Sequence, residues 1–333
     1  RATDSPRQPG SCFKIVSTYA PALNECGMTL ASTITDEPYY YANGKEVRNW
    51  DRKYIGNTTM RYAILHSMNV CAVRTLTEVV TPEKGYQYLQ KFGFTTLVNN
   101  DPDYPGMTDI AQATALGGIT RGVYNLEMTA AYASIANGGV YTEPVLYTEI
   151  LDHDGNVLID NSAPETHEVI KESTAYLLTS AMQDVINDPN GTGGAARMSN
   201  MPVSGKTGTT NDSTDLWLSA YTPYYTASIW VGYDENKSME HMNQSWHMRI
   251  WKQIMEQIHS GLAYKDFSVP SSIVQKTICS ETGKLAVSSC PAVTEYFDGD
   301  TLTSEVCEGH YVEEEVIEEE SSTEEVPEGE AAP

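Results

Sequence analysis

The order of the periodic segments predicts an α+β chain. Three observations carry that expectation: helical spacing clusters through the middle of the chain, β-branched and aromatic runs come late, and neither a βαβ alternation nor an internal repeat is present. Helices are expected at residues 11–25, 58–66, 70–80, 82–92, 126–137, 171–187 and 245–260. Pro82 suits a first turn after Thr81, and Asn125 can cap the helix that Gly138-Gly139 stops. Strands are expected at 145–151 and 157–160, joined at Asp154-Gly155, and then at 203–209, 215–221 and 225–233. The last two alternate β-branched and aromatic residues around Thr222-Pro223, as an antiparallel pair does.

The 333 residues are 40% hydrophobic, enough for one large domain with an appendage. A formal charge of −24 argues against nucleic acid or an anionic membrane surface as a partner, since both demand a basic face. Much of that charge is local: residues 312–333 read VEEEVIEEESSTEEVPEGEAAP, with no basic residue and no apolar face, and are expected to be a disordered acidic tail. No initiator Met, signal peptide or apolar run long enough to span a bilayer occurs, so any targeting segment is expected outside these residues.

Three short motifs carry chemistry. Ser11-Cys12-Phe13-Lys14 is an S-x-x-K at a helix start, where residues three apart share a face, Lys14 can take the Ser11 proton, and the helix N-terminus favours developing negative charge. Ser67-Met68-Asn69 falls between two helical patterns, where a loop can bring a second hydroxyl and an amide to the first site. Lys206-Thr207-Gly208, continued by Thr209, lies on a strand; a lysine and hydroxyls there make a carboxylate-binding edge, and the glycine lets a substrate backbone lie close. Chance alone yields about one match per chain for each of the first two and about one in ten chains for the third, so the ordered conjunction is the signal. An ATP-binding loop ending in Gly205-Lys206-Thr207 would need glycine where Asn200 stands.

S-x-x-K, S-x-N and K-T-G in this order mark the β-lactamases and penicillin-binding proteins. The phrases RQPGSCFK, RYAILHSMNVCAVRTL, TALGGITRGVYNLEMTAAYASIANGGVY, SGKTGTTND and WVGYD resemble the transpeptidase domain of class A, bifunctional penicillin-binding proteins, over about residues 1–262. The resemblance implies a serine β-lactamase-like fold: a five-stranded antiparallel sheet flanked by helices, a mostly helical subdomain, and an active site between them. It implies Ser11 as acylated nucleophile, Lys14 as its proton acceptor, Ser67 as proton shuttle, and Lys206 setting the electrostatics. Asn69 would hold the substrate amide, Thr207 and Thr209 the terminal carboxylate, beside Gly208, and the backbone N–H groups of Ser11 and Thr209 would form the oxyanion hole.

The implied reaction is D,D-transpeptidation of peptidoglycan stem peptides ending in D-Ala-D-Ala, blocked by β-lactams, with no metal and no cofactor. Other cell-wall synthesis or division proteins are the implied partners, and the extracytoplasmic face of the membrane the implied place. The family's first sheet strands, anchor and glycosyltransferase domain are not in these residues, so the chain is expected to be a fragment beginning inside the catalytic domain. A D,D-carboxypeptidase, a β-lactamase and a β-lactam sensor share the motifs; no hydrolytic glutamate motif follows Asn69.

Four other features have plainer readings. Cys12 lacks a histidine partner and is expected to pack in the core. His241 and His247 are expected at the surface, Asp152-x-Asp154-Gly155 in a hairpin turn, and Gly191 to Gly194 in a flexible connection. Residues 263–311 resemble a C-terminal extension of some family members. Cys279, Cys290 and Cys307 there show no CxxC pair, so a Cys279–Cys290 disulfide is expected in an oxidising compartment rather than a zinc site.

Overall fold

The computed structural model describes residues 1–310; the acidic tail expected at 312–333 lies outside them. At its centre, Ser204–Thr209, Asp215–Tyr221 and Thr226–Gly232 form an antiparallel sheet with Asp215–Tyr221 in the middle. All seven residues of the middle strand are buried, and they alternate between two cores. Trp217 and Tyr221 face one that holds Cys12, Tyr132 and Leu178; Leu218 and Ala220 face another that holds Trp251 and Met255. Period-two alternation with both faces covered explains why the middle strand reads as almost continuously apolar. Each large side chain it buries contributes roughly 1.5–3 kcal/mol.

Of the five strands that the resemblance implies, these three occur among the described residues. Residues ahead of the serine motif contribute only a single bridge, Arg7 to Val123, because Pro6 and Pro9 on either side cannot donate to a ladder.

Helix Glu172–Asn187 covers one side of the sheet, with Ala175, Leu178, Met182 and Val185 at helical spacing on its buried face, and Trp246–Ile258 covers the other. Ahead of them lies the helical subdomain. Thr59 caps Met60–Leu65 by accepting from the Tyr62 N–H at 3.3 Å, and Thr81 caps Pro82–Lys91 by accepting from the Lys84 N–H at 3.3 Å.

Several sequence expectations shift. The helix expected at 58–66 starts two residues late, since Gly56–Thr59 pairs with Thr33–Asp36 in a two-stranded sheet that the polar run concealed. The cap of Asn125–Ala136 falls one residue early: Asn125 is already helical, and the Glu127 carboxylate accepts from the Tyr124 N–H. The strand expected at 145–151 shrinks to Glu149–Leu151, while its turn forms as expected, with Asp152 Oδ1 accepting from the Asp154 and Asn156 N–H groups. His247 is buried rather than exposed, because it lies on the inner face of Trp246–Ile258 beside Met248 and Trp251; desolvation holds its ring down to about 4.

The C-terminal extension folds back onto this body. Ile273–Cys279 pairs with Ala292–Asp298, and Phe297 and Ile278 pack on Ala31. Arg61 joins the two parts by donating from Nε and Nη2 to the two oxygens of buried Glu295, at 2.7 and 2.6 Å.

Candidate active site

The helix expected at 11–25 is helical throughout but not uniform: a tight turn at Gly10–Cys12 leads into a widened stretch at Lys14–Tyr19 and then Ala20–Asn24. Widened turns of this kind re-aim side chains and recur at functional sites. Gly10 holds φ at +54°, and a Cβ there would lie 2.8 Å from Thr209 O. A Cβ on Gly208 would lie 2.5 Å from Pro9 O and 2.9 Å from Cys12 Sγ. The two glycines therefore let the serine turn lie directly against the Lys206-Thr207-Gly208 strand.

Lys14 and Lys206 are both fully buried. Lys14 Nζ donates to Ser67 O and Asn69 Oδ1, each at 2.6 Å, and lies 3.2 Å from Ser67 Oγ. Lys206 Nζ donates to the same Ser67 Oγ at 2.7 Å and to Thr207 O at 3.1 Å. Two amines thus converge on one hydroxyl, with no carboxylate among these partners. Desolvation first, and the Lys206 charge second, hold Lys14 well below the usual lysine range; desolvation lowers Lys206 to about 8. Ser67 takes φ +54°, a strained setting for a residue with a Cβ, and the buried Asn49 fixes the turn: its Oδ1 accepts from the Asn69 and Val70 N–H groups at 2.9 and 3.2 Å.

Ser11 opens onto a cleft of ≈ 970 Å³ that Asn69, Thr209, Gln8, Tyr41 and Gln112 also line. Its hydroxyl makes no hydrogen bond among the described residues, and Lys14 is turned to Ser67 and Asn69 instead. Ser204–Thr209 is an edge strand. Thr210 N–H donates to Asp215 O across the pair, and by alternation Thr207 and Thr209 turn their backbone groups away from the sheet, to the unpaired side. Thr207 Oγ1 lies 2.7 Å from Thr192 Oγ1, so the glycine-flanked Thr192 is tied to the strand rather than to a loose connection. Neither Thr192 nor Asn49 was legible as a site residue, for each lies far along the chain from the motif it supports.

Cys12 is buried beside Ser11, its thiol pushed up to about 11 by desolvation and its Sγ donating to Lys206 O at 3.2 Å. It packs against the strand, as expected. Cys279 and Cys290, the pair expected to be bridged, stand as free thiols together with Cys307, and the fold draws all three to His310, so that no pair is singled out.

Residues 1–256 match the family model described as penicillin binding protein transpeptidase domain. The chain belongs to the penicillin-binding protein transpeptidase family. Residues 269–311 match a second model, the C-terminal domain of penicillin-binding protein 1A. Penicillin-binding protein 1A of Clostridium tetani is 33% identical over 326 residues, covering 93% of this chain and 41% of that protein. Penicillin-binding protein 1A/1B of Bacillus subtilis is 31% identical over 338 residues, covering 94% and 35%. The crystal structure of penicillin-binding protein 1A from Haemophilus influenzae superposes with a TM-score of 0.76 at 26% identity, covering 92% of this chain and 50% of that one. This transpeptidase domain and its extension thus span well under half the length of the curated relatives, and no helix among the described residues is long and apolar enough to cross a membrane.

Proposed function

We propose that the chain is the transpeptidase part of a class A penicillin-binding protein, which cross-links peptidoglycan stem peptides through an acyl-enzyme on Ser11. The observation that carries this reading is the convergence of two buried lysines on the Ser67 hydroxyl beside an unpaired strand edge.

The stem peptide lies along the outer edge of Ser204–Thr209 as an added strand, where the outward backbone groups of Thr207 and Thr209 pair with it. Thr207 and Thr209 hydroxyls, in the field of Lys206, hold its terminal carboxylate. Asn69 has Oδ1 committed to Lys14 and one amide proton committed to Arg48 O at 2.8 Å, which leaves its second proton for a substrate carbonyl.

A neutral Lys14 spends two N–H donors on Ser67 O and Asn69 Oδ1 and keeps a lone pair as proton acceptor. It takes the Ser11 proton as Oγ bonds to the penultimate D-Ala carbonyl, and the N–H groups of Ser11 and Thr209 hold the oxyanion; each such donor is worth roughly 10²–10³ in rate. The C–N bond then breaks, Ser67 passes a proton to the departing D-Ala amine, and the proton on Lys14 replaces it. An amine of a neighbouring stem peptide attacks the ester, restoring Ser11 and forming the cross-link. A β-lactam ring enters the first half and has no departing amine to leave room for the second. Such a substrate places the domain on the extracytoplasmic side of the membrane.

Intact-mass spectrometry after exposure to penicillin tests this. A persistent single adduct that maps to Ser11, is lost in Ser11→Ala and survives in Cys12→Ser is the expected result. Survival of the adduct in Ser11→Ala would overturn it, and rapid release by water would assign a β-lactamase instead.

A further inference from the structure

Four soft donors meet at one end of the C-terminal extension. Cys279 closes the strand Ile273–Cys279, Cys290 stands in the connection to Ala292–Asp298, and Cys307 and His310 follow that second strand. One donor atom from each residue lies within 4.8 Å of every other. His310 Nε2 is 3.1 Å from Cys279 Sγ and 3.6 Å from Cys307 Sγ. We propose that Cys279, Cys290, Cys307 and His310 form a structural Cys₃His site for one tetrahedral Zn²⁺.

The spacing fits. With Zn–S near 2.3 Å and Zn–N near 2.0 Å, tetrahedral ligands stand about 3.8 Å apart sulfur to sulfur and about 3.5 Å sulfur to nitrogen. The two sulfur–nitrogen distances, 3.1 and 3.6 Å, straddle the second value, and no pair of donors is more than 4.8 Å apart, so ligation needs shifts of about 1 Å at most. His310 is also turned the right way: its Nδ1 lies 3.1 Å from Glu281 Oε2, so Nδ1–H donates to the carboxylate and the Nε2 lone pair faces the thiols.

The backbone presents the ligands from three directions. Gly283, at φ +69°, lets the chain turn so that its N–H donates to Cys279 O at 2.9 Å while Cys279 N–H donates to Lys284 O at 2.8 Å. Cys307 N–H donates to Leu285 O at 2.8 Å, which brings the last segment against that turn. Ser289 Oγ accepts from the His310 N–H at 3.2 Å and ties the Cys290 loop to the same place.

The extension also needs a staple. Its buried apolar cluster is Ile278 and Phe297 with Ala31 of the main body, and a unit of this size rarely sustains itself on so little core. A disulfide would use two thiols and leave the third, together with the oriented imidazole, without a role. The metal uses all four: each thiol loses its proton on binding, no electron is transferred, and the zinc binding energy becomes folding energy for the extension.

The test uses the whole chain, purified under reducing conditions, loaded with Zn²⁺ and freed of unbound metal. One zinc per chain is expected by metal analysis, lost in the Cys307→Ser/His310→Ala double variant. Co²⁺ loading of the wild type is expected to give the intense visible bands of a tetrahedral thiolate site. Glu281→Gln, which keeps every ligand, is expected to weaken zinc binding by about 10–100-fold. Penicillin acylation of Ser11, retained in all variants, reports that the main body is folded. Equal zinc in wild type and double variant overturns the proposal, and so does a wild type that stays zinc-free after loading.

Discussion

Removing the Arg61 side chain tests whether the extension is an integral part of the fold. Arg61 donates from Nη1 to Asp184 Oδ2 at 2.6 Å and from Nη2 to Ser180 Oγ at 3.0 Å, besides its two bonds to Glu295. The Glu295 side chain is only 3% exposed, against 39% for Asp184, so Glu295 decides the magnitude. Asp184 can turn to water when Arg61 is gone, but Glu295 is left as a buried charge without its partner. Breaking a buried pair from one side costs about 3–5 kcal/mol, whereas an exposed pair contributes at most about 1. Arg61→Ala is therefore expected to lower the melting temperature by on the order of 10 °C, or to undock Ala292–Asp298 if that opening costs less than global unfolding. Thermal denaturation reads the first outcome and hydrogen exchange in Ile273–Cys279 and Ala292–Asp298 the second. Glu295→Gln added to Arg61→Ala is expected to recover part of the loss, because the orphaned group is then neutral. A change below about 1 kcal/mol in Arg61→Ala, with exchange in both strands unaltered, would refute the reasoning.

Three further outcomes follow from the site. Lys206, lowered to about 8 by desolvation, is cationic below that value and neutral above it, while in the proposed mechanism a neutral Lys14 accepts the Ser11 proton. Acylation by penicillin should therefore fall as pH rises through about 8, where the charge facing the drug's carboxylate disappears, and fall again on the acid side as Lys14 gains a proton; a second-order rate flat from pH 7 to 9 would contradict this. The same depression means that the folded state releases the Lys206 proton before the unfolded state does, so this group's penalty on stability is full below about 8 and eases above it. Gly208→Ala puts a methyl 2.5 Å from Pro9 O and 2.9 Å from Cys12 Sγ, against backbone that cannot yield cheaply. It should destabilise by about 1–3 kcal/mol and slow acylation, because Pro9 and Cys12 bracket the serine turn; an unchanged melting curve and rate would show that this approach is not tight.

What was legible in the sequence depended on how far apart the cooperating groups lie along the chain. The S-x-x-K pattern is a statement about one helical turn, and K-T-G one about a strand edge, so each survives as a fixed offset. Middle-strand alternation in LWLSAY is equally local, and the extent of Asp215–Tyr221 agrees with it. The pairing of Thr33–Asp36 with Gly56–Thr59 had no such marker, since both strands are polar and are joined by a long excursion. His247 was misplaced for a related reason: its neighbours His241 and Asn243 are polar, and only the helical phase set by Met248, Trp251 and Met255 shows that its side faces inward.

Distance along the chain also explains why the two chemical centres differ in legibility. The proposed mechanism needs Ser11 and Lys14 at a separation that one helical turn provides, whereas Lys14 and Lys206 meet at Ser67 only through the fold. Each of those partners still carries a local motif of its own, so the sequence names the parts even though it cannot place them. The cysteine cluster has no such help. Cys279, Cys290 and Cys307 lie in three separate segments, and the single local cue is the two-residue gap between Cys307 and His310. A gap that short is common by chance, and a search for paired cysteines passes over it. What gives it meaning is the turn at Gly283 and the contact of Cys307 with Leu285, which close three loops onto one point. A closed structural site is defined by that convergence, and a metal that gathers distant segments stabilises most where the intervening loops are long and the local core is small.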